Sequence, residues 1–523
     1  MSKAPVSQHM TQLNLGPALE QAMALIRSGR SDEAESLCRM LLQRFPSDAD
    51  AHQLYGLVAL CASQAREAVA RLSRAVALAP HVAHFYTNLA TALQGSGLAD
   101  RAEPGYRRAL RLTPGQAETA YNYGNLLVRK NQPDLAETLY RQAIALQPER
   151  GKYWSSLGNL HLGTRRESSA LHAYGIAAAA GDHRVKTALN QGMAHQRLNQ
   201  LPEAIAVYER LLAEDPNNAA AHWNRALALL VSGRLIEGWE EYEWRWKLTE
   251  CPPRTLPQPV WTGEPLGGQT LLLHAEQGLG DTLQFVRYLP LLEGKLILEC
   301  QPPLCRLLAD SFPALTVVAS GDPLPAFDVH LPLLSLPRLC RTRLDGIPAS
   351  VPYLHAPDVP ARPPARPGTL AVGVVWGGDP THRNDRRRSL GRDALEALLA
   401  IPQVTFFSLQ KGNRGRELAD AAPADRPVLD LGPTIGDMAD TAALIRQLDL
   451  IVTVDTSVAH LAGALGRPVC ILLPYSPDWR WLLERQDSPW YPTAKLFRQS
   501  VPDDWLGVVR SLADHLATYD RSL

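Results

Sequence analysis

The sequence predicts an α-helical solenoid followed by an α/β half made of two lobes. Three observations carry this expectation. The first half repeats every 34 residues, the pattern changes after Glu250 to short apolar runs alternating with helical segments, and 523 residues are more than one hydrophobic core absorbs.

The repeat is exposed first by proline. Pro46, Pro80, Pro114, Pro148 and Pro216 stand 34, 34, 34 and 68 apart, and Gly181-Asp182, another helix stop, fills the missing rung. Alanine gives an unbroken ladder, Ala34, Ala68, Ala102, Ala136, Ala170 and Ala204, with Gly238 on the next rung. A small residue at one fixed rung is what close helix-to-helix approach within each hairpin requires. The seventh unit departs from the pattern and runs into Trp239, Tyr242, Trp244 and Trp246, which read as a core seam joining the solenoid to the second half of the chain.

Past that seam, prolines crowd at 252, 253, 257 and 260, and strands are expected at Thr270–His274, 296–299, 316–318, 370–376, 404–409, Leu450–Val454 and 469–473. Strands alternating with helices imply parallel βαβ units. The proline-rich stretch 356–368 suits neither element and splits this half in two. The expected domains are therefore a solenoid at 17–250, a first lobe at 251–355, a linker at 356–368 and a second lobe at 369–523.

Fifty-three basic and 53 acidic side chains leave a formal net charge of zero, which removes the general attraction to nucleic acid or an anionic membrane. The seven cysteines form no C-x-x-C pair and read as small buried hydrophobes of a reducing compartment. Residues 1–16 hold no apolar core of signal-peptide length, and no run of 18 apolar residues occurs. The expectation is a cytoplasmic protein without stable membrane insertion.

Chemistry gathers at strand ends. The strand Thr270–His274 leads into Ala275-Glu276-Gln277-Gly278-Leu279-Gly280-Asp281, where Gly278 and Gly280 permit a tight turn and are candidate donor-site residues, and Asp281 falls at a helix start. That is the carboxyl end of a parallel strand, where ligands bind in open α/β sheets; the alternative role for Asp281 is a plain helix cap. In the second lobe a strand ends in Asp455, and Thr456-Ser457 opens a helix of small residues carrying His460 one turn in. Free N–H groups, hydroxyls and the helix dipole at such a turn suit a diphosphate. A buried structural histidine is the alternative for His460.

A third cluster follows the second lobe's first strand, Trp376, Gly377, Gly378 and then a basic run, 383–388; here Trp376, Gly377, Asn384 and Arg388 are candidate donor-site residues. Gln410 and Lys411, at another strand end, are candidates to read a base and a phosphate.

Together the GLGD and DTSVAHLAGALGRP segments resemble glycosyltransferases of the two-lobed GT-B fold, in particular the heptosyltransferase-like family, over about residues 268–510. The 34-residue ladders over about residues 17–250 resemble the tetratricopeptide repeat (TPR), so the two resemblances together imply an α-helical TPR solenoid followed by a GT-B fold of two Rossmann-like lobes. The heptosyltransferase-like resemblance also implies an inverting mechanism with a nucleotide sugar as co-substrate, Asp281 as general base, and diphosphate binding by Asp455, Thr456, Ser457 and His460. After the Asp-Ser/Thr pair, where the family often has glycine, this chain has Ser457-Val458. In layout the chain is similar to bacterial TPR glycosyltransferases, flagellin-modifying enzymes among them, and to O-GlcNAc transferases, in which an asparagine ladder holds the substrate.

A comparable ladder is present here. Asn88, Asn122, Asn190 and Asn224 follow the 34-residue period, with Ser156 on the missing rung. Such amides can donate to and accept from an extended peptide; equally, asparagine serves structural needs at this repeat position. The reading is thus an enzyme transferring a sugar to a Ser or Thr hydroxyl of a protein acceptor, flagellin being one candidate. Its alternatives are a glycan or lipopolysaccharide glycosyltransferase that uses the repeats for assembly, and a scaffold with an inactive catalytic half. No D-x-D pair stands at a plausible strand end, so neither a metal nor a cofactor beyond the co-substrate is expected.

Overall fold

The computed structural model describes residues 15–358, 364–382, 384–423 and 427–519. The expectations for residues 1–14, for 359–363 of the linker and for Arg383 lie outside them. Contacts divide the chain into two compact units, Met1–Gln191 and Gly192–Leu523.

The first unit is a row of helical hairpins, from Leu15–Arg27 with Ser31–Arg44 to Gly151–Gly163 with Glu167–Ala179, and it ends inside the helix Val185–Arg197. Ala34, Ala68, Ala102, Ala136 and Ala170 have no exposed surface at all, so the rung is where paired helices touch. A second rung relies on still smaller residues: a Cβ on Gly124 would fall 2.7 Å from the Tyr140 ring. A third rung is conformational. Gly29, Ser63, Gly97, Asn131 and Arg165 all adopt positive φ, from 56° to 78°, in the turn inside each hairpin. Only two of the five are glycine, which hides this period from the sequence, although asparagine tolerates the left-handed region better than most residues.

The second unit opens with the hairpin partners Leu201–Glu214, Ala219–Val231 and Leu235–Tyr242, followed by a 3-10 turn at Glu243–Lys247. The aromatic run lies in its core: Trp239 packs edge-on to Phe285 and Trp479, and its indole N–H donates to the Thr342 carbonyl at 3.1 Å. The buried Arg245 guanidinium donates to Glu243 at 2.7 Å, Glu276 at 3.0 Å and Ser335 at 2.9 Å, tying the turn to the first lobe.

Ten strands follow among the described residues: β1 Thr270–His274, β2 Lys295–Cys300, β3 Thr316–Ala319, β4 Val329–Pro332, β5 Leu370–Val375, β6 Val404–Ser408, β7 Leu429–Asp430, β8 Leu450–Val454, β9 Val469–Leu473 and β10 Ala494–Arg498. They form two sheets flanked by helices, ordered β3-β2-β1-β4 and β10-β9-β8-β5-β6-β7, and every pairing is parallel. This is the two-lobed arrangement consistent with GT-B. The short or proline-flanked β4, β7 and β10 are additional to the strands read from sequence. In both sheets the central strands, β1 and β8, deliver their carboxyl ends to a glycine- or Ser/Thr-rich turn and a helix, which positions the site.

Candidate active site

β1 exits through Ala275–Gly278 into the helix Leu279–Phe285. Asp281 caps that helix: the Gly278 N–H donates to its Oδ2 at 2.8 Å. The capping alternative is therefore real, and it leaves the other oxygen, Oδ1, to a different partner. That partner is Arg480 from the second lobe, whose Nη2 donates to Asp281 Oδ1. Burial pushes the Asp281 carboxyl above its ordinary value, against the pull of Arg480. Its side chain nevertheless keeps 19% of its surface, so it is reachable.

Arg480 and the aromatics around it were not legible as functional residues. The buried guanidinium also donates to Asp478 at 2.9 Å and to Gln284, and lies 4.2 Å from the Trp479 ring centroid. The run Asp478-Trp479-Arg480-Trp481 carried the signal, since a charged pair among tryptophans after a strand is unusual on a solvated loop.

The helix Ser457–Ala464 starts at β8's end and packs against the helix bearing Asp281. Gly280 is the point of closest approach, where a Cβ would fall 2.8 Å from Cδ2 of His460. The His460 ring stacks on Trp481 at 5.3 Å, and its Nδ1 is hydrogen-bonded to the Tyr491 hydroxyl at 2.9 Å. Burial, then Arg480 and Arg287, hold this imidazole well below its ordinary pKa, so it is neutral. His460 is thus held between the two lobes by Gly280, Trp481 and Tyr491, and in its neutral form it brings no positive charge to a diphosphate.

Among the described residues no side chain caps the first turn of Ser457–Ala464, and the Thr456 hydroxyl meets that of Thr453 at 3.0 Å. The first turn thus offers uncapped backbone N–H groups to an anion. Beside it, Arg388 Nη1 donates to the Asp455 carbonyl at 3.2 Å, while its buried Nε has no partner among the described residues. Burial and the Asp478 carboxylate push Asp455 up to about 6, against Arg388 and Arg480. Arginines lie over Gly377 and Gly378: a Cβ would fall 2.5 Å from Arg414 Cδ and 2.5 Å from Arg388 Nη2, respectively. Arg414 in turn is paired with the buried Asp385.

Two other candidates are placed differently from their expected roles, and two stay exposed. Trp376 is fully buried in the second lobe's core with its indole N–H on Glu417 at 2.8 Å, so it presents no face to a nucleotide. Gln410 is buried with its amide committed: Oε1 accepts from the Trp376 and Gly377 N–H groups at 3.2 and 3.0 Å, and Nε2 donates to the Gly377 carbonyl at 3.1 Å. It shapes the glycine turn and has no edge left to read a base. Lys411 donates to the Ile435 carbonyl at 2.6 Å but stays exposed, with two further N–H donors. Asn384 is exposed, and its backbone carbonyl accepts from the Arg387 and Arg388 N–H groups.

Of the asparagine ladder, Asn88, Asn122 and Asn190 belong to the first unit and are all half-buried. Asn190 donates to Asn159 at 2.7 Å, whereas the amides of Asn88 and Asn122 make no hydrogen bond within the described residues. Asn224, in the second unit, is also half-buried. Among the described residues no three His, Cys, Asp or Glu side chains gather in a way that could hold a metal ion, and no helix is long and apolar enough to cross a membrane.

Residues 121–183 and 189–237 match the tetratricopeptide repeat model, and residues 400–499 match glycosyltransferase family 9 (heptosyltransferase). The chain joins TPR repeats to a heptosyltransferase-family glycosyltransferase domain. Protein FlbA of Caulobacter vibrioides is 29% identical over 350 residues, covering 59% of this chain. The chain spans 57% of the length of that relative. Solved structures similar to it include pilF of Pseudomonas aeruginosa, with a TM-score of 0.37 and 17% identity over 40% of this chain and 96% of the other. A thermophilic TPR protein of Thermus thermophilus gives a TM-score of 0.31 and 24% identity over 34% of this chain and 97% of the other. The matched family domain contains Gln410, Lys411, Asp455, Thr456, Ser457, His460 and Arg480, and it supports glycosyl transfer.

Proposed function

We propose that the protein is an inverting glycosyltransferase that moves a sugar from a nucleotide sugar to a Ser or Thr hydroxyl of a protein held by its repeats. The observation that carries this reading is the meeting of two strand ends: Asp281 at the exit of β1 is paired with Arg480, while the uncapped turn Thr456-Ser457 at the exit of β8 lies beside Arg388. Each half supplies what one partner of the reaction needs. Asp281 takes the proton of the attacking hydroxyl as it reaches the anomeric carbon, and the attack from the face opposite the leaving group inverts the sugar. The first-turn N–H groups and Arg388 stabilise the negative charge that grows on the leaving diphosphate, so the reaction needs no metal.

The repeats supply the acceptor side, with Asn88 and Asn122 offering amides to an extended chain. Flagellin is one acceptor that the likeness to flagellin-modifying enzymes suggests, and a cytoplasmic setting accords with the free cysteines. The test is a thermal-shift screen of the full chain against UDP-, GDP-, ADP- and CMP-sugars and the free nucleotides. A selective donor should raise the melting temperature in proportion to occupancy. Absence of stabilisation by every member of the panel would reject the donor site.

A further inference from the structure

A carboxylate that must take a proton needs two things here: a fixed direction, and ionisation against the burial that favours its acid form. Asp281 receives its direction from two sides. Gly278 holds Oδ2 from its own turn, and Arg480 holds Oδ1 from a loop of the other lobe, 199 residues away in sequence. Each oxygen accepts one hydrogen bond in this arrangement, which leaves each a second lone pair for a hydroxyl proton.

Arg480 is itself held. Asp478 fixes its Nη1, Gln284 its Nε, and the Trp479 ring lies beneath the guanidinium. Gln284 sits three residues beyond Asp281 on the same helix, so Arg480 contacts that helix twice and cannot swing away without losing both bonds. We propose that Arg480 is a positioning residue for transfer, clamping the Oδ1 of Asp281 from the second lobe while Gly278 clamps Oδ2 from the first. This rests on the assignment of Asp281 as the base.

The charges that bear on Asp281 come from every element around it. Asp478 opposes its ionisation, Glu276 at the exit of β1 is buried nearby, and Tyr242 and His382 face it from the solenoid's last helix and the loop after β5. Asp455 is balanced by Arg388 as well as Arg480, and His460 beneath Gly280 is neutral. Among the described residues Arg480 is the cation that touches the Asp281 carboxylate, so its loss drives that carboxyl upward.

The test uses the full chain with the nucleotide sugar that stabilises it most, reading released nucleotide from pH 5 to 9.5 in wild type, R480Q, R480K and D281N, with circular dichroism as a folding check. Folded R480Q should shift the acid limb of kcat upward by about 1–3 pH units, the span that a neighbouring arginine accounts for, with rate returning at high pH. R480K, which keeps a charge but not the fork, should show a smaller shift and a lower plateau. If R480Q does not fold, the R480K profile decides alone. A wild-type limb and plateau in the folded variants would overturn the proposal while D281N stays inactive. Wild-type turnover by D281N would instead remove the base assignment beneath it.

Discussion

Gly280 and His460 share one space: the imidazole lies where any Cβ at position 280 would have to go, 2.8 Å from its Cδ2. Two segments 180 residues apart in sequence, each read separately as a ligand turn, are thus parts of one joint. The glycine is fixed by contact, since its φ is not among the positive ones.

The first prediction comes from that joint. Gly280→Ala should destabilise the protein by about 1–3 kcal/mol, the usual scale of overpacking, read as a shift in denaturant midpoint. Adding His460→Ala should give back part of this loss, because the methyl then fills the space the ring vacates. Additive losses in the double variant would show that the two positions do not meet.

Asp281→Asn should lower turnover by roughly 10²-fold or more while donor affinity holds, the scale expected for a lost general base. The amide oxygen can still accept from Gly278, so the helix cap survives. Turnover within a few-fold of wild type would leave capping as the whole role of this residue.

The pH dependence of stability should carry the signature of Asp455. Its carboxyl is raised from 3.8 to about 6 by burial and by Asp478. Between those values the folded chain binds a proton that the unfolded chain does not, so stability falls as pH rises through the window. The penalty is complete above 6. Asp455→Asn, uncharged throughout, should therefore be stabilised relative to wild type at pH 7.5 and show no such gain below 3.8, as measured by chemical denaturation. Equal differences at both pH values would mean that the carboxyl is not raised.

Transfer should survive excess EDTA, because the growing diphosphate charge is assigned to the first turn of Ser457–Ala464 and to Arg388. Activity lost on chelation and restored by Mn²⁺ or Mg²⁺ would contradict this arrangement.

Local rules were enough for part of this molecule. The 34-residue ladders mark where helices touch, and β1 and β8 end where their apolar runs end, so both site turns could be found from sequence. The hidden part depends on distance. Arg480 acquires its meaning from Asp281 and Gln284, which no local pattern links to it, and Trp376 and Gln410 look like ligand residues until the core and the Gly377 backbone claim them. β7 is two residues long, too short to show a period, and β4 is enclosed by prolines.

The acceptor model makes its own demand on the ladder of Asn88, Asn122, Asn190 and Asn224. If these amides hold an extended acceptor, changing all four to Ala should raise the acceptor KM at least tenfold, since each lost hydrogen bond is worth about 0.5–1.5 kcal/mol. Donor binding should stay unchanged, because no donor-site residue lies on the ladder. The four rungs are not equivalent: Asn190 already donates to Asn159, whereas Asn88 and Asn122 make no such bond, so Asn88→Ala with Asn122→Ala should account for most of the effect. Asn190→Ala alone should change the acceptor KM little, because its amide is already engaged by the Asn159 side chain, whose oxygen keeps the Tyr174 hydroxyl as a second donor at 2.8 Å. The measurement is acceptor-dependent transfer by the double and quadruple variants, with circular dichroism confirming intact repeats. An unchanged KM in a folded quadruple variant would remove the groove from acceptor binding and favour a glycan acceptor, with the repeats left to assembly.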